Sequence, residues 1–358
     1  MARLAVGVYD RDSEYKDGHR IRICCRHPLF DDETKKDSPV QVRESQKGGR
    51  AYYSGLMKCA SVWVCPVCAP KIQAVRALEV RSAIDQWTAH GGSVVLLTQT
   101  VPHSRHDVLE VLLERFTKAL EKFKGQRGYE RARKHFGIDG SIKALEVTHG
   151  ANGWHPHAHT ILFLRDAPPI SHVRLLLFPL WESAARRAGF EKELSPAAFD
   201  VQDASEVKKY LTKMGTEYQW NAEHELVKAH SKRGSSQNMT PFDMLRGLLD
   251  ESRPDLRARF AEYSACFEGK RQLVWSNGLK KRLLGTDGLS DEQIAESIGE
   301  ADAVLADITP DQWITIRRHN LQGEVLQVVQ EFGSVGLRHL LSVYRPRPTP
   351  ARTPANPS

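Results

Sequence analysis

Residues 141–164, SIKALEVTHGANGWHPHAHTILFL, decide the fold class. They read as two strands, Ser141–His149 and Trp154–Leu164, joined by the turn Gly150-Ala151-Asn152-Gly153, whose composition suits a hairpin connection. Side chains alternate between the two faces of a strand. Leu145, Val147, Ala158, Thr160, Leu162 and Leu164 therefore form apolar sets that can pack on helices. Glu146, His155, His157 and His159 fall together on the opposite face. The H-x-H spacing sets His157 and His159 about 7 Å apart at the backbone, on one side of the strand. Both rings can lean onto one ion, and Glu146 completes a set of two imidazoles and one carboxylate with open positions for water or phosphate. Most histidines are not ligands; the hairpin and the facing carboxylate favour the metal reading here. His155 sits at the strand entrance before Pro156 and ranks below the other two. His103 is an outside candidate that can instead meet phosphate.

Working outward, apolar spacing predicts a helix over about 70–90, ended by Gly91-Gly92, and a strand over Ser93–Val101. Asp107-x-x-Glu110 has the form of a capping box for a helix to about Lys124. A short basic helix, Tyr129–His135, follows. Beyond the hairpin come a helix from Ser171 to about Ala188 with Pro179 as a kink, a short strand Ala198–Val201, and a helix from Ser205 to about Met214. The order β-α-β-β-α-β-α is the split βαβ, ferredoxin-like α+β pattern. Its crossover helices cover one sheet face and leave the other free for a site.

Cys59-x5-Cys65-Pro66-Val67-Cys68 has thiolate spacing suited to one tetrahedral zinc ion. The fourth ligand is Cys24 or Cys25, or else His27, brought in by a strand such as 20–25. Against zinc stand a redox C-x-x-C and buried free thiols; the nearby third cysteine and the missing thioredoxin-like context favour zinc.

In Glu206-Val207-Lys208-Lys209-Tyr210-Leu211-Thr212-Lys213, Glu206 and Tyr210 share a helix face and Lys213 lies beside Tyr210. A nearby cation would stabilise a phenolate that is otherwise a poor nucleophile near neutral pH. Read alone, the segment is better taken as a half-buried helix tyrosine with Glu206 as a first-turn dipole partner.

Together these segments resemble the HUH endonucleases, within them the rolling-circle replication initiators of small plasmids of Gram-positive bacteria, including actinobacteria. GWHPHAHTILF is similar to the family's metal motif, EVKKYLTK to its tyrosine motif, VVLLTQTVPH to its first motif, and KCASVWVCPVCAPKI to its N-terminal stretch. The resemblance implies an origin-specific, metal-dependent single-strand DNA nickase and ligase using Mg2+ or Mn2+. His157 and His159 are then ligands, with Glu146 the third. Tyr210 is the nucleophile that forms a 5′-phosphotyrosine, Lys213 its neighbour, and Glu206 stands where other classes carry a second tyrosine. The implied partners are the plasmid double-strand origin, its nick site single-stranded or extruded as a hairpin, and a host helicase and polymerase. Two readings stand beside it: a transposase or relaxase of the same superfamily, and a non-catalytic zinc-containing nucleic-acid-binding regulator.

The composition agrees. Of 358 residues, 51 are Lys or Arg against 44 Asp or Glu, a net charge of +7 that points to a polyanionic partner. The longest apolar stretch, Leu175–Trp181, is far too short to span a membrane, and MARLAVGVYDRD has no signal-peptide core, so a cytoplasmic protein is expected. Four regions are expected: a zinc-binding segment and helix over 1–90, the nuclease domain over 91–220, a mostly helical region over 221–343, and a disordered Pro-rich tail over 344–358. Residues 291–358 carry 6 basic and 9 acidic side chains. Helices there near 290–305, 310–318, 321–331 and 334–343 form either a surface for a protein partner or homodimer, or an inert cap.

Overall fold

The computed structural model describes residues 20–31, 36–46, 49–203, 238–248, 253–299 and 301–344. Its strands are β1 (Phe30–Asp31), β2 (Lys36–Asp37), β3 (Val40–Glu44), β4 (Ala51–Ser54), β5 (Ser93–Thr100), β6 (Ile138–Gly150), β7 (Gly153–Leu164), β8 (Phe199–Gln202), β9 (Asn238–Met239), β10 (Leu273–Trp275) and β11 (Ala303–Ile308). Its helices are α1 (Cys68–Ala89), α2 (Leu109–Lys124), α3 (Arg127–His135), α4 (Ile170–Arg187), α5 (Pro241–Gly247), α6 (Asp255–Phe267), α7 (Leu279–Leu284), α8 (Asp291–Glu296), α9 (Pro310–His319) and α10 (Gln322–Ser342). The chain divides into two compact units, Met1–Ile21 with Ala60–Ala295, and Arg22–Cys59 with Glu296–Ser358. Among the described residues no helix is long and apolar enough to cross a membrane.

The larger unit is built on an antiparallel sheet in the order β10-β6-β7-β5-β8, with β9 added beside β6. The hairpin expected from residues 141–164 is its centre, and the turn Gly150–Gly153 closes it. Gly153 has φ +85°, and a Cβ there would lie 2.7 Å from the Ser104 carbonyl oxygen, so the turn needs a residue without a side chain. Helices α2 and α4 pack on each other and cover one sheet face, where Leu97, Ala158 and Leu162 are fully buried. Trp181 of α4 is the largest fully buried side chain. Its ring meets Phe116 and Phe123 of α2 edge-on, and its indole N–H donates to the Thr100 carbonyl at 3.0 Å.

The opposite face is not free along its length, as the alternation had implied. Val94, Leu96, Ile142, Ile161 and Phe163 share that face with the histidines, and α1 covers them through Val80, Ala83 and Ile84. The run Ile161-Leu162-Phe163-Leu164 is apolar on both sides, so the far half of the sheet requires a second layer. The Trp87 indole pins α1 to the sheet by donating to the carbonyls of Ser93 and Leu164. Among the described residues, the half bearing Glu146, His157 and His159 keeps partial exposure on this face.

Other expectations are corrected at particular residues. Asp107 and Glu110 form no capping box. The Asp107 carboxylate accepts from Ser104 N–H at 2.6 Å, and the first turn of α2 is capped from afar, Leu109 N–H donating to Glu262 Oε1 at 2.8 Å. Residues 20–25 are a 3-10 helix over Arg20–Arg22 followed by a turn rather than a strand, and Cys25 has φ +55°. The acidic helix expected near 290–305 is the short α8 followed by strand β11. The expected helix from Ser205 lies outside the described residues.

The smaller unit pairs β3 and β4 with β11 in the order β11-β3-β4. Helices α9 and α10 close its core with Trp313, Ile316, Val325 and Val329 against Val40, Val42, Tyr53 and Ile308. Thr309 and Gln312 form a capping box at the start of α9. Gly333, with φ +57°, interrupts α10.

Trp181→Ala is expected to destabilise the protein by about 3–5 kcal/mol, since it empties a filled aromatic site. Leu175→Ala, on the same helix but 70% exposed, should change stability by less than about 0.5 kcal/mol. Urea unfolding of both variants checks the difference; equal effects would contradict this account of the core.

Candidate metal centres in the sheet and the cysteine cluster

Strand register assembles the first centre. Glu146 of β6 pairs with His157 of β7, and His159 pairs with Ala144 on one side and Thr98 of β5 on the other. Glu146 Oε2 lies 3.1 Å from His157 Nε2 and 3.7 Å from His159 Nε2. The two histidine side chains are 14% and 15% exposed and Glu146 is 31% exposed, so the group is recessed yet open. One ligand atom from each residue lies within 4.8 Å of the others. The rings of His157 and His159 stand at 85° to each other with centroids 5.1 Å apart. Two imidazole nitrogens and a carboxylate oxygen, convergent and partly open, suit a divalent cation that keeps sites for oxygen ligands.

The far nitrogens are also held. His157 Nδ1 lies 3.3 Å from the His155 carbonyl oxygen, and His159 Nδ1 lies 3.1 Å from Thr98 Oγ1. Thr98 was not singled out from the sequence. Its signal was present, because the pairing of β5 with β7 fixes which residue of SVVLLTQT faces His159.

His155 and His103 extend the row rather than joining the group. The His155 ring is 5.3 Å from that of His157 and stacks on His103 at 4.7 Å. Burial, with the charges of His157 and His103, pushes His155 down from 6.5 to about 4.

The cysteines are buried in each unit, Cys65 and Cys68 in the larger and Cys24 and Cys59 in the smaller. Thiolates are a donor set that fits zinc. Cys68 N–H points at Cys65 Sγ, 3.4 Å away, where the knuckle turns into α1. Within the smaller unit, Cys25 Sγ accepts from Lys58 Nζ at 3.0 Å. Tyr210, Glu206 and Lys213 lie outside the described residues.

Glu146, His157 and His159, with Cys59, Cys65 and Cys68, fall within residues 56–172, and that segment matches the family model described as replication protein. The chain is similar to the protein rep of Streptomyces lividans, 27% identical over 363 aligned positions that cover 79% of this chain and 77% of that protein. It is also similar to a neomycin resistance protein of Streptomyces cyanogenus, 32% identical over 141 positions, 32% of each chain. No solved structure matches. The resemblance read from the motifs is thus borne out at the level of a replication protein.

A pH dependence follows from His155. The folded protein keeps its ring neutral down to about pH 4, while the unfolded chain takes up the proton near 6.5. The unfolded state therefore binds more protons between these values, and stability falls as pH drops through that window. Partial exposure of the ring screens the effect, leaving about 1–2 kcal/mol. In the presence of chelator, His155→Gln should lose less stability than the wild type between pH 7 and pH 5. Urea midpoints at the two pH values measure this, and parallel acid slopes would count against it.

Proposed function

We propose that this replication protein starts plasmid copying by nicking one strand of origin DNA and later rejoining it. The observation that carries the reading is the convergence of Glu146, His157 and His159 on the open half of the sheet, inside the replication protein segment. The strand order β6-β7-β5-β8, with helices crossing one face, supports a ferredoxin-like nuclease domain.

Glu146, His157 and His159 would hold Mg2+ or Mn2+. Bound there, the ion supplies Lewis-acid polarisation of a scissile phosphate. The remaining chemistry belongs to the chain. Tyr210 contributes the attacking oxygen. A bond forms from that oxygen to phosphorus as the bond from phosphorus to the 3′ oxygen breaks, and the phenol proton is lost to solvent while the leaving 3′ oxygen gains one. Lys213 offsets the charge of the phenolate. The phosphotyrosine keeps the phosphodiester energy for rejoining, and the free 3′-hydroxyl is a primer for a host polymerase working behind a host helicase. Glu206 cannot keep a stable DNA link but can act as a general base for water at termination. A single-stranded or hairpin target suits a recessed site that duplex DNA would not enter. The basic body of the protein binds the origin, with phosphate contacts that need no metal.

An origin oligonucleotide tests the reading. His157→Ala and His159→Ala are expected to reduce divalent-metal-dependent nicking to background while duplex binding persists. Tyr210→Phe should form no covalent protein–DNA adduct, and Glu206→Gln should form it and then fail at termination. Full nicking by the double histidine variant would refute the metal group, and an adduct formed by Tyr210→Phe would refute the nucleophile.

From their thiolate spacing, Cys59, Cys65 and Cys68 are proposed to hold one structural zinc with Cys24 or Cys25. Elemental analysis should find about one tightly held zinc per chain. Cys59→Ser should release it. Zinc-free wild-type protein, or full zinc content in Cys59→Ser, overturns the assignment.

A further inference from the structure

We infer that Thr98 is a positioning residue that holds His159 in the ring form able to ligate a cation, an inference that rests on the proposed reading of Glu146, His157 and His159 as a metal group. A neutral imidazole carries one proton, and the nitrogen without it is the one that ligates. Both rings turn Nε2 toward Glu146, at 3.1 Å from His157 and 3.7 Å from His159. Ligation through Nε2 therefore requires the proton on Nδ1 in each ring, and each Nδ1 then needs an acceptor. For His157 the acceptor is a backbone carbonyl, that of His155, 3.3 Å away. A carbonyl cannot donate, so this ring is fixed by the chain itself. For His159 the partner is the Thr98 hydroxyl at 3.1 Å, which can donate or accept. When Nε2 binds the cation, Thr98 Oγ1 must accept from Nδ1–H. Its fixed place opposite His159 in the β5–β7 ladder then sets the ring plane.

Removing that hydroxyl leaves a largely buried N–H without its acceptor whenever the cation is bound. Valine keeps the branched shape and the strand preference of threonine while losing the oxygen. Serine keeps the oxygen. Loss of a group that orients a ligand histidine typically weakens metal binding by about 10–100-fold.

The test is Mn2+ titration calorimetry on the full chain, comparing wild type with T98V, T98S and H159A. T98V is expected to weaken Mn2+ binding by about 10–100-fold, T98S to stay close to wild type, and H159A to lose the site. In Mg2+-loaded wild type, the nitrogen chemical shifts of His159 should report a proton on Nδ1, and that signature should fade in T98V. Wild-type affinity in T98V alongside loss in H159A overturns the role of Thr98 and leaves the metal group standing. Equal weakening in T98V and T98S also overturns it, since shape rather than the hydroxyl would then matter. Unchanged Mn2+ binding in H159A overturns the metal group itself, and the role of Thr98 with it.

Discussion

The register of β7 between its two neighbours is the constraint on which the candidate site depends. Twelve residue pairs hold β6 against β7 and eight hold β5 against β7. A slip of one residue in either ladder would turn the histidines into the helix-covered core and bring apolar side chains to the open face. Burial of Leu97, Ala158 and Leu162 makes such a slip costly. The apolar face and the face of Glu146, His157 and His159 are thus one device: packing on one side of β7 fixes which side chains stand on the other. Gly153 guards the same register at the turn, where any side chain would strike the loop at Ser104.

Much of this was legible in the sequence because alternation is a local signal. The hairpin, the strand over residues 93–100, the helix stripes and the grouping of Glu146 with His157 and His159 all follow from spacing. What was missed depends on distant residues. Nothing near Leu109 shows that Glu262, more than 150 residues away, supplies the cap of that helix. Nothing near Ile161 shows whether solvent or α1 lies above it; a run that is apolar on both sides only says that something must. Residues 303–305 were read as the end of a helix, yet they open the strand that pairs with β3, a case of tertiary context overriding a weak local preference.

The open half of the histidine face owes its character to what stops short of it. Helix α1 and α7 bury Ile142, Ile161 and Phe163, and the two-sided burial ends where Thr160 gives way to His159 and His157. Glu146, His157 and His159 stand at the rim of a packed layer, where a rigid floor and partial solvent access coexist. Such a setting fixes side-chain orientation while keeping polar atoms within reach of solvent, a combination neither a deep core nor a mobile loop provides.

The smaller unit has a history written into its connectivity. Strands β3 and β4 leave the ribosome early, but β11, which pairs with β3, follows about 250 residues later. At roughly 5–20 residues per second, the early hairpin waits roughly 12–50 s for its partner. During that interval Val40, Val42 and Tyr53 lack the helices that bury them in the finished protein. This unit therefore closes later in synthesis than the larger one, and a chain broken anywhere before residue 303 leaves the β3 edge without β11.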